Sequence, residues 1–239
     1  RDATSEWQID RLKDELIGIA AHELKTPLTS IIGYGDMLRS KCLSEEEIIN
    51  YSHLIVEEGK RLESMSMKLL NLIVLKKQDF KMYKISAQTF FQGIEDTVDL
   101  LMKENNIQFI TEIEPGELHI EPDLMKTVCL NLLDNARKAI GKNGKISLKG
   151  TVAKTGYQFV IEDNGCGMAT DELDKIKEAF YMVDQSRSRS AGGAGLGLAL
   201  CDQIIKLHHG LLDFESVLGK GTTVTVKIEG VINNEEMQK

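Results

Sequence analysis

Between Ser44 and Lys77 apolar residues return every seven positions, at Ile48, Ile55, Leu62 and Leu69, with Tyr51, Met65 and Leu72 at the offset of three. Such a seam suits a long helix that packs against other helices, and a helical hairpin with this stripe suits a four-helix bundle formed by two copies. Ser44 followed by Glu45, Glu46 and Glu47 is a capping-box start with acids in the first turn, so the preceding turn is expected near Ser40 to Leu43. Upstream, Leu12, Leu16 and Ile19 step by four and three, whereas the next member, Leu24, comes five later; Leu28, Ile31 and Leu38 follow. Pro27 lies just beyond that irregular step and removes a backbone donor, which predicts a kink or loosened turn. His22 then points roughly 80° away from the upstream seam. Small Ala20 and Ala21 leave that flank of the bundle open.

After a polar break at residues 78–81 the pattern changes to alternating strands and helices. Strands are expected over 82–85, 108–113, 117–120, 145–153, 156–163, 211–216 and 222–228, with a hairpin turn at Lys154-Thr155. Helices are expected over 89–104, 123–140, 171–179 and 195–209. The chain thus divides into a helical hairpin (1–77), a linker (78–81), a mixed α+β domain (82–232) with helices on one face of a sheet, and a tail (233–239).

Composition narrows the function classes. A formal net charge of -8 argues against a general nucleic-acid binder, which needs a basic footprint to displace counterions, but leaves room for one local nucleotide site. The cysteines Cys42, Cys129, Cys166 and Cys201 are scattered, with no CxxC pair and no zinc spacing; they read as reduced, mostly buried thiols of a cytosolic compartment. No apolar run approaches the roughly 18 residues of a membrane span. The chain opens Arg1-Asp2-Ala3 and enters a helical pattern at once, as expected of a piece of a longer protein.

Several stretches carry chemistry. Asn131, Asn135 and Lys138 fall on one face of the expected 123–140 helix, while Leu130, Leu133 and Ala136 line a core-facing stripe. Neutral amide oxygens can ligate a hard cation such as Mg2+ without adding charge beside a triphosphate, and a lysine can meet phosphate as a point charge. The same asparagines also suit a plain solvated face. Asp163-Asn164-Gly165-Cys166-Gly167 follows an apolar strand: it is either a common turn signal or a site where Asp163 accepts from an exocyclic amine while Gly165 and Gly167 let the backbone approach a base. Gly192-Gly193-Ala194-Gly195-Leu196-Gly197 opens a helix, where free N–H groups can face phosphate. It is neither a Walker loop nor a dinucleotide fingerprint. The polar stretch before it reads as a lid, whose Arg187 and Arg189 either reach phosphate or lie on the surface. Thr222, after the Gly219-Lys220-Gly221 turn, is a possible base contact.

Taken in order, these stretches resemble the catalytic core of a two-component sensor histidine kinase over essentially the whole chain. His22-Glu23-Leu24-Lys25-Thr26-Pro27-Leu28 is similar to the family's H box, with Lys25 where arginine is more usual. Asn131 to Lys138 resembles the N box, Asp163 to Gly167 the first glycine box, Phe180 the F box, Gly193 to Gly197 (through Leu196) the second glycine box and Gly219 to Thr222 the third. The resemblance implies a dimerising phosphotransfer hairpin joined to an α/β sandwich of the Bergerat ATP-binding type. It implies ATP and Mg2+ as cofactors, His22 as phosphoacceptor, Asn135 with Asn131 at the metal, and Asp163 at adenine. Glu23 would orient the His22 ring, and Thr26 would help place the water that dephosphorylates a receiver, although a capping role before Pro27 suits it too. The implied partners are a second copy of the chain and a response-regulator receiver domain carrying an acceptor aspartate; nucleic acid is not implied. Any membrane attachment of the bacterial parent protein would lie in segments outside this chain. Two rival readings are an ATPase of the same nucleotide-binding superfamily and a dimerising scaffold with a dead site. The first needs a glutamate where Asn131 stands, because an amide cannot take water's proton at neutral pH.

Overall fold

The seven-residue seam closes two long helices against each other. The computed structural model describes residues 3–40, 42–75, 80–183 and 195–229, and in it α1 (Ala3–Ser40) and α2 (Glu45–Val74) form the hairpin. The capping box forms as the sequence requires: the Ser44 N–H donates to Glu47 Oε2 at 2.9 Å and the Glu47 N–H to Ser44 Oγ at 3.3 Å. Tyr34 and Tyr51 stack across the hairpin with centroids 5.8 Å apart. Pro27, just beyond the irregular step, does not end the helix. The α1 helix continues through it, and Thr26, Thr29 and Ser30 each donate their hydroxyl to the carbonyl four residues back. Along the seam Met65 is buried, while Leu28, Ile48 and, off the seam, Ile32, Ile49 and Val56 stay exposed in the single chain.

The second domain is a two-layer α/β sandwich. Strands β2 (Gln108–Ile113), β4 (Lys145–Ala153), β5 (Gly156–Asp163), β6 (Leu211–Val217) and β7 (Gly221–Glu229) form one sheet in the order β2-β4-β5-β7-β6. Only β2 and β4 run parallel; the other neighbours are antiparallel. A small antiparallel pair, β1 (Tyr83–Ser86) with β3 (Glu117–Ile120), stands beside it. Alternation decides the buried face: Tyr157, Phe159 and Ile161 of β5 and Val224, Val226 and Ile228 of β7 all point inward. Onto that face pack α3 (Ala87–Glu104), α4 (Pro122–Ile140) and α5 (Gly197–Leu207). Phe91 of α3 sits edge-on to Phe159 with centroids 5.3 Å apart.

Two expected helices change. Residues 171–179 form only a short 3₁₀ turn, Thr170–Glu172, followed by further turns. Bonds of the i→i−3 type prevail there (Leu173 to Thr170, Lys175 to Glu172, Glu178 to Lys175), because a continuous helix would miss the bend at Phe180, whose φ is 67°. The helix expected from Gly195 starts at Gly197 and ends at Leu207, since Gly195 itself has φ 66°. The thiols also divide differently from expectation: Cys129 and Cys201 are buried, Cys42 and Cys166 exposed, and all four are free.

His208 ties the end of α5 to the start of α4. Its ring is buried, Nδ1 lies 2.8 Å from the Ile204 carbonyl, and Nε2 accepts the Glu121 N–H at 3.0 Å. That pair of partners selects the neutral Nδ1–H tautomer. Burial lowers the ring's proton affinity, with His119 adding to it; the Ile204 carbonyl and Glu121 partly oppose this. With the folded value below the ordinary 6.5, the unfolded chain binds the extra proton more readily. Stability is therefore complete above that ordinary value and is lost as pH falls through the folded one. Urea titrations between about pH 7.5 and about pH 5.5 are expected to show a larger loss for the wild-type chain than for His208→Gln.

The loop after β5 leaves no room for side chains at one point. A Cβ on Gly167, at φ 61°, would stand 2.1 Å from the Val217 carbonyl oxygen, whereas one on Gly219, at φ 78°, meets nothing within 4 Å. Gly219→Ala is expected to cost about 1–2 kcal/mol of backbone strain. Gly167→Ala should cost clearly more, because it adds a clash with backbone, and parallel chemical denaturation of the two variants measures the difference.

Candidate functional site

Helix α4 has two faces, and the site grows from the second. Val128, Cys129, Leu132, Leu133 and Ala136 are buried in the core, so Asn131, Asn135 and Lys138 are turned to a cleft of about 460 Å³. Asn131 commits its amide nitrogen to the Thr127 carbonyl at 2.9 Å, which leaves Oδ1 facing the start of α5; a Cβ on Gly197 would stand 3.1 Å from it. Asn135 is exposed, and its side chain makes no hydrogen bond among the described residues. Lys138 Nζ lies 2.9 Å from Asp134, which Arg137 also holds at 2.7 Å. Burial alone would push the Asp134 carboxyl up, but Lys138 and Arg137 together hold it below the usual carboxylate range.

The loop after β5 builds a further part of the cleft wall. Asp163 is 7% exposed, and its Oδ1 accepts the Gly165 N–H at 2.8 Å. Burial raises its carboxyl, and the backbone N–H groups of Gly165 and Thr222 pull it back. A Cβ on Gly165 would press on Ala139 at 2.7–2.8 Å, and the Cys166 N–H donates to the Ala139 carbonyl at 3.1 Å, so the loop is seated on the end of α4. Asn164 turns away and accepts the Lys145 N–H at 2.8 Å. Thr222 Oγ1 lies 2.9 Å from Ser216 Oγ, whose own proton is directed to the Gly221 carbonyl at 2.9 Å. With Ser216 so committed, Thr222 is the donor of that pair.

The cleft thus brings together Asn131, Asn135, Lys138, Asp163, Gly167, Gly195, Gly197 and Thr222 from separate stretches of the chain. Gly165 supports Asp163 from behind. Phe180 and Leu196 do not line the cleft; they form a second apolar cluster with Met65, Leu24, Leu69 and Ala179, joining the hairpin to the α/β domain. Met65 is 1% and Leu196 0% exposed there. Arg187 and Gly193 lie outside the described residues. The sequence reading missed the apolar walls (Ile161, Met168, Ile176, Val183, Phe214) and Tyr181. A hydrogen bond from Tyr181 to Glu172, with the nearby carboxylates of Asp171 and Glu178, pushes its phenol up to about 12. The reading also missed Lys68, a hairpin residue on the cleft wall. Wall residues have ordinary core composition, and no spacing rule marks them.

His22 stands apart on the hairpin. Its side chain is 77% exposed, and Nδ1 faces Glu23 Oε1 at 3.5 Å, which leaves Nε2 toward solvent. Thr26, one turn on, donates its hydroxyl to the His22 carbonyl at 3.3 Å. Among the described residues no cluster of three or more His, Cys, Asp or Glu could hold a metal alone. A divalent cation in this cleft would have to share its coordination between the amide oxygens of α4 and a ligand's own oxygens. The uncommitted Asn135 and the oriented Oδ1 of Asn131 fit that donor set.

Two family models match separate stretches of the chain. Residues 12–73 match the His Kinase A (phospho-acceptor) domain, and residues 120–231 match the histidine kinase-, DNA gyrase B- and HSP90-like ATPase domain. The sensor protein SrrB of Staphylococcus aureus (strain NCTC 8325 / PS 47) is 29% identical over 241 residues, covering 95% of this chain. The chain spans 40% of the length of that relative. In fold, the histidine kinase AdeS of Acinetobacter baumannii aligns with a TM-score of 0.71 at 20% identity, over 89% of this chain and 98% of that one. The histidine kinase ThkA, solved in complex with the response regulator protein TrrA, aligns with 0.76 at 22% identity, over 92% of this chain and 63% of that one. Among the described residues no helix is long and apolar enough to cross a membrane. With both domain types present in order, each on its own structural unit, the chain belongs to the sensor histidine kinases and carries their catalytic core.

Proposed function

We propose that the chain is an ATP-dependent protein histidine kinase that phosphorylates itself on His22 and passes the phosphoryl group to an aspartate of a receiver domain. The observation that carries this reading is the pairing of an exposed imidazole, its Nδ1 3.5 Å from Glu23, with a cleft that offers amides, a lysine and a helix N-terminus together. Phosphoryl transfer needs little covalent help from a protein; positioning and charge compensation do most of the work. Asn131 and Asn135 would hold Mg2+ against the phosphates, where it supplies charge neutralisation. Lys138 exchanges Asp134 for phosphate, and the N–H groups at the start of α5 face the same oxygens. Asp163 accepts from the adenine amine at the other end, with Thr222 beside it.

At His22 the nearness of Glu23 to Nδ1 supports attack through Nε2. Glu23 on the Nδ1 side holds a proton there and stabilises the imidazolium character that grows as Nε2 attacks the γ-phosphorus. The bond from phosphorus to the β,γ-bridging oxygen breaks, and ADP leaves. The resulting phosphoramidate is a good donor, which suits onward transfer to a carboxylate. The similarity to ThkA, a kinase captured with a response regulator protein, supports a receiver as partner. The exposed apolar residues Leu28, Ile32, Ile48, Ile49 and Val56 support a second copy packed on the hairpin.

Hydrolysis of ATP to free phosphate is disfavoured, because Asn131 is an amide and cannot serve as a general base. A dead scaffold is disfavoured by the intact cleft. Incubation with γ-labelled ATP and Mg2+ tests all three readings. Label retained on protein, stable in base and lost in acid, is expected for the wild-type chain. His22→Gln should bind ATP as tightly but retain no such label. Label appearing only as free phosphate would replace the kinase reading by the ATPase one, and no turnover would favour the scaffold.

Thr26 separates two activities. Its hydroxyl sits one turn beyond His22, on the same face, where it can place a water for dephosphorylating the receiver. Thr26→Ala is expected to leave autophosphorylation within about twofold and to lower receiver dephosphorylation by about tenfold or more; equal losses in both would return Thr26 to a purely helical role. Mixing His22→Gln with Asn135→Ala subunits reports whether transfer occurs within a subunit or between subunits.

A further inference from the structure

The α/β domain does not enclose its cleft alone. Lys68, on α2 of the hairpin, lines the same wall as Asn131, Asp134, Asn135 and Lys138. It sits three residues after Met65 and one before Leu69, both of which belong to the cluster with Leu196 and Phe180 of the other domain. Lys68 is therefore in the cleft only while the two domains are docked.

The charges at this wall do not balance. Asp134 is its one carboxylate among the described residues, and it is already paired with Arg137 at 2.7 Å and Lys138 at 2.9 Å. The other cleft carboxylate, Asp163, accepts the Gly165 N–H at 2.8 Å and is not among the charges that act on Lys68. The Lys68 side chain makes no hydrogen bond or ion pair within 4.0 Å among the described residues. It is half-buried, and burial first, then Lys138, lowers its proton affinity, with Asp134 only partly compensating. A surface lysine would ordinarily carry its ammonium out to water. Here the ammonium is held in a cleft beside a second one, in a chain of net charge -8. Such a surplus is relieved when an anion of several charges enters.

We propose that Lys68 is a phosphate-binding residue contributed by the hairpin to the nucleotide cleft, so that polyphosphate occupancy and docking of the two domains strengthen each other. The inference rests on the reading that the cleft takes a nucleotide. Reciprocity follows from linkage: a ligand that binds the docked form more tightly shifts the population toward it, and docking raises the affinity for that ligand by the same factor. Adenosine has no phosphate to meet Lys68 and should gain nothing from docking.

The test is a ligand ladder on the full chain. Calorimetric affinities for adenosine, ADP and ATP with Mg2+ are compared between wild type, Lys68→Met and Lys68→Arg, with Lys68→Gln as a second neutral variant should Lys68→Met fold poorly. The expected result is roughly a tenfold weaker ATP affinity in Lys68→Met, a smaller loss for ADP, adenosine within about twofold, and most of the affinity kept in Lys68→Arg. Small-angle scattering should show ATP compacting the wild-type chain more than Lys68→Met. Unchanged ATP affinity, or an equal loss for adenosine, would overturn the proposal, the latter showing that Lys68 only shapes the cleft. Asp163→Asn separates this from the underlying reading: if it leaves adenosine binding intact, the cleft is not the nucleoside site at all.

Discussion

Everything in the α/β domain depends on how α4 is held. Val128, Cys129, Leu132, Leu133 and Ala136 fix its rotation against β4, β5 and α5, and each of the larger buried side chains among them is worth about 1.5–3 kcal/mol. Once that stripe is buried, the amides of Asn131 and Asn135 have no freedom to face elsewhere. The loop after β5 is then seated on Ala139 at the helix end, and α5 begins beside Asn131. A rotation of α4 by one residue would bury an amide and expose a leucine, so core packing and site geometry are enforced by the same contacts.

The junction between domains has a different character. A small apolar cluster, centred on Met65 and Leu196, joins the hairpin to the rim of the cleft, and Leu24 belongs to it two residues after His22. A contact of that size can hold one arrangement and release it again, as the proposed phosphoryl transfer requires. Lys68 adds a charged element to the same junction. Docking there can respond to what occupies the cleft, whereas apolar contact alone could not sense it.

Much of this was legible in the sequence. Strands 108–113, 117–120, 145–153 and 156–163 follow from alternation and turn residues, and their observed bounds coincide with expectation. The polar face of α4 followed from spacing alone. The region of 171–179 was misread because its apolar residues, Leu173, Ile176 and Ala179, mimic a helical period, while the actual constraint is tertiary: the bend at Phe180 and the hairpin cluster beyond it. Lys68 was invisible for a related reason. It occupies an unremarkable helix position, and the residues that surround it in the cleft lie more than sixty positions away in sequence. The thiols show the same limit, since scattering along the chain says nothing of depth.

The central claim is that His22 attacks through Nε2 while Glu23 holds the other nitrogen at 3.5 Å. Phosphorus–nitrogen correlation by NMR on chain labelled with nitrogen-15 in histidine, after reaction with ATP and Mg2+, reads the bonded nitrogen directly. The account predicts one phosphoryl group, on Nε2 of His22. A phosphoryl group on Nδ1, or on any residue other than His22, would contradict it.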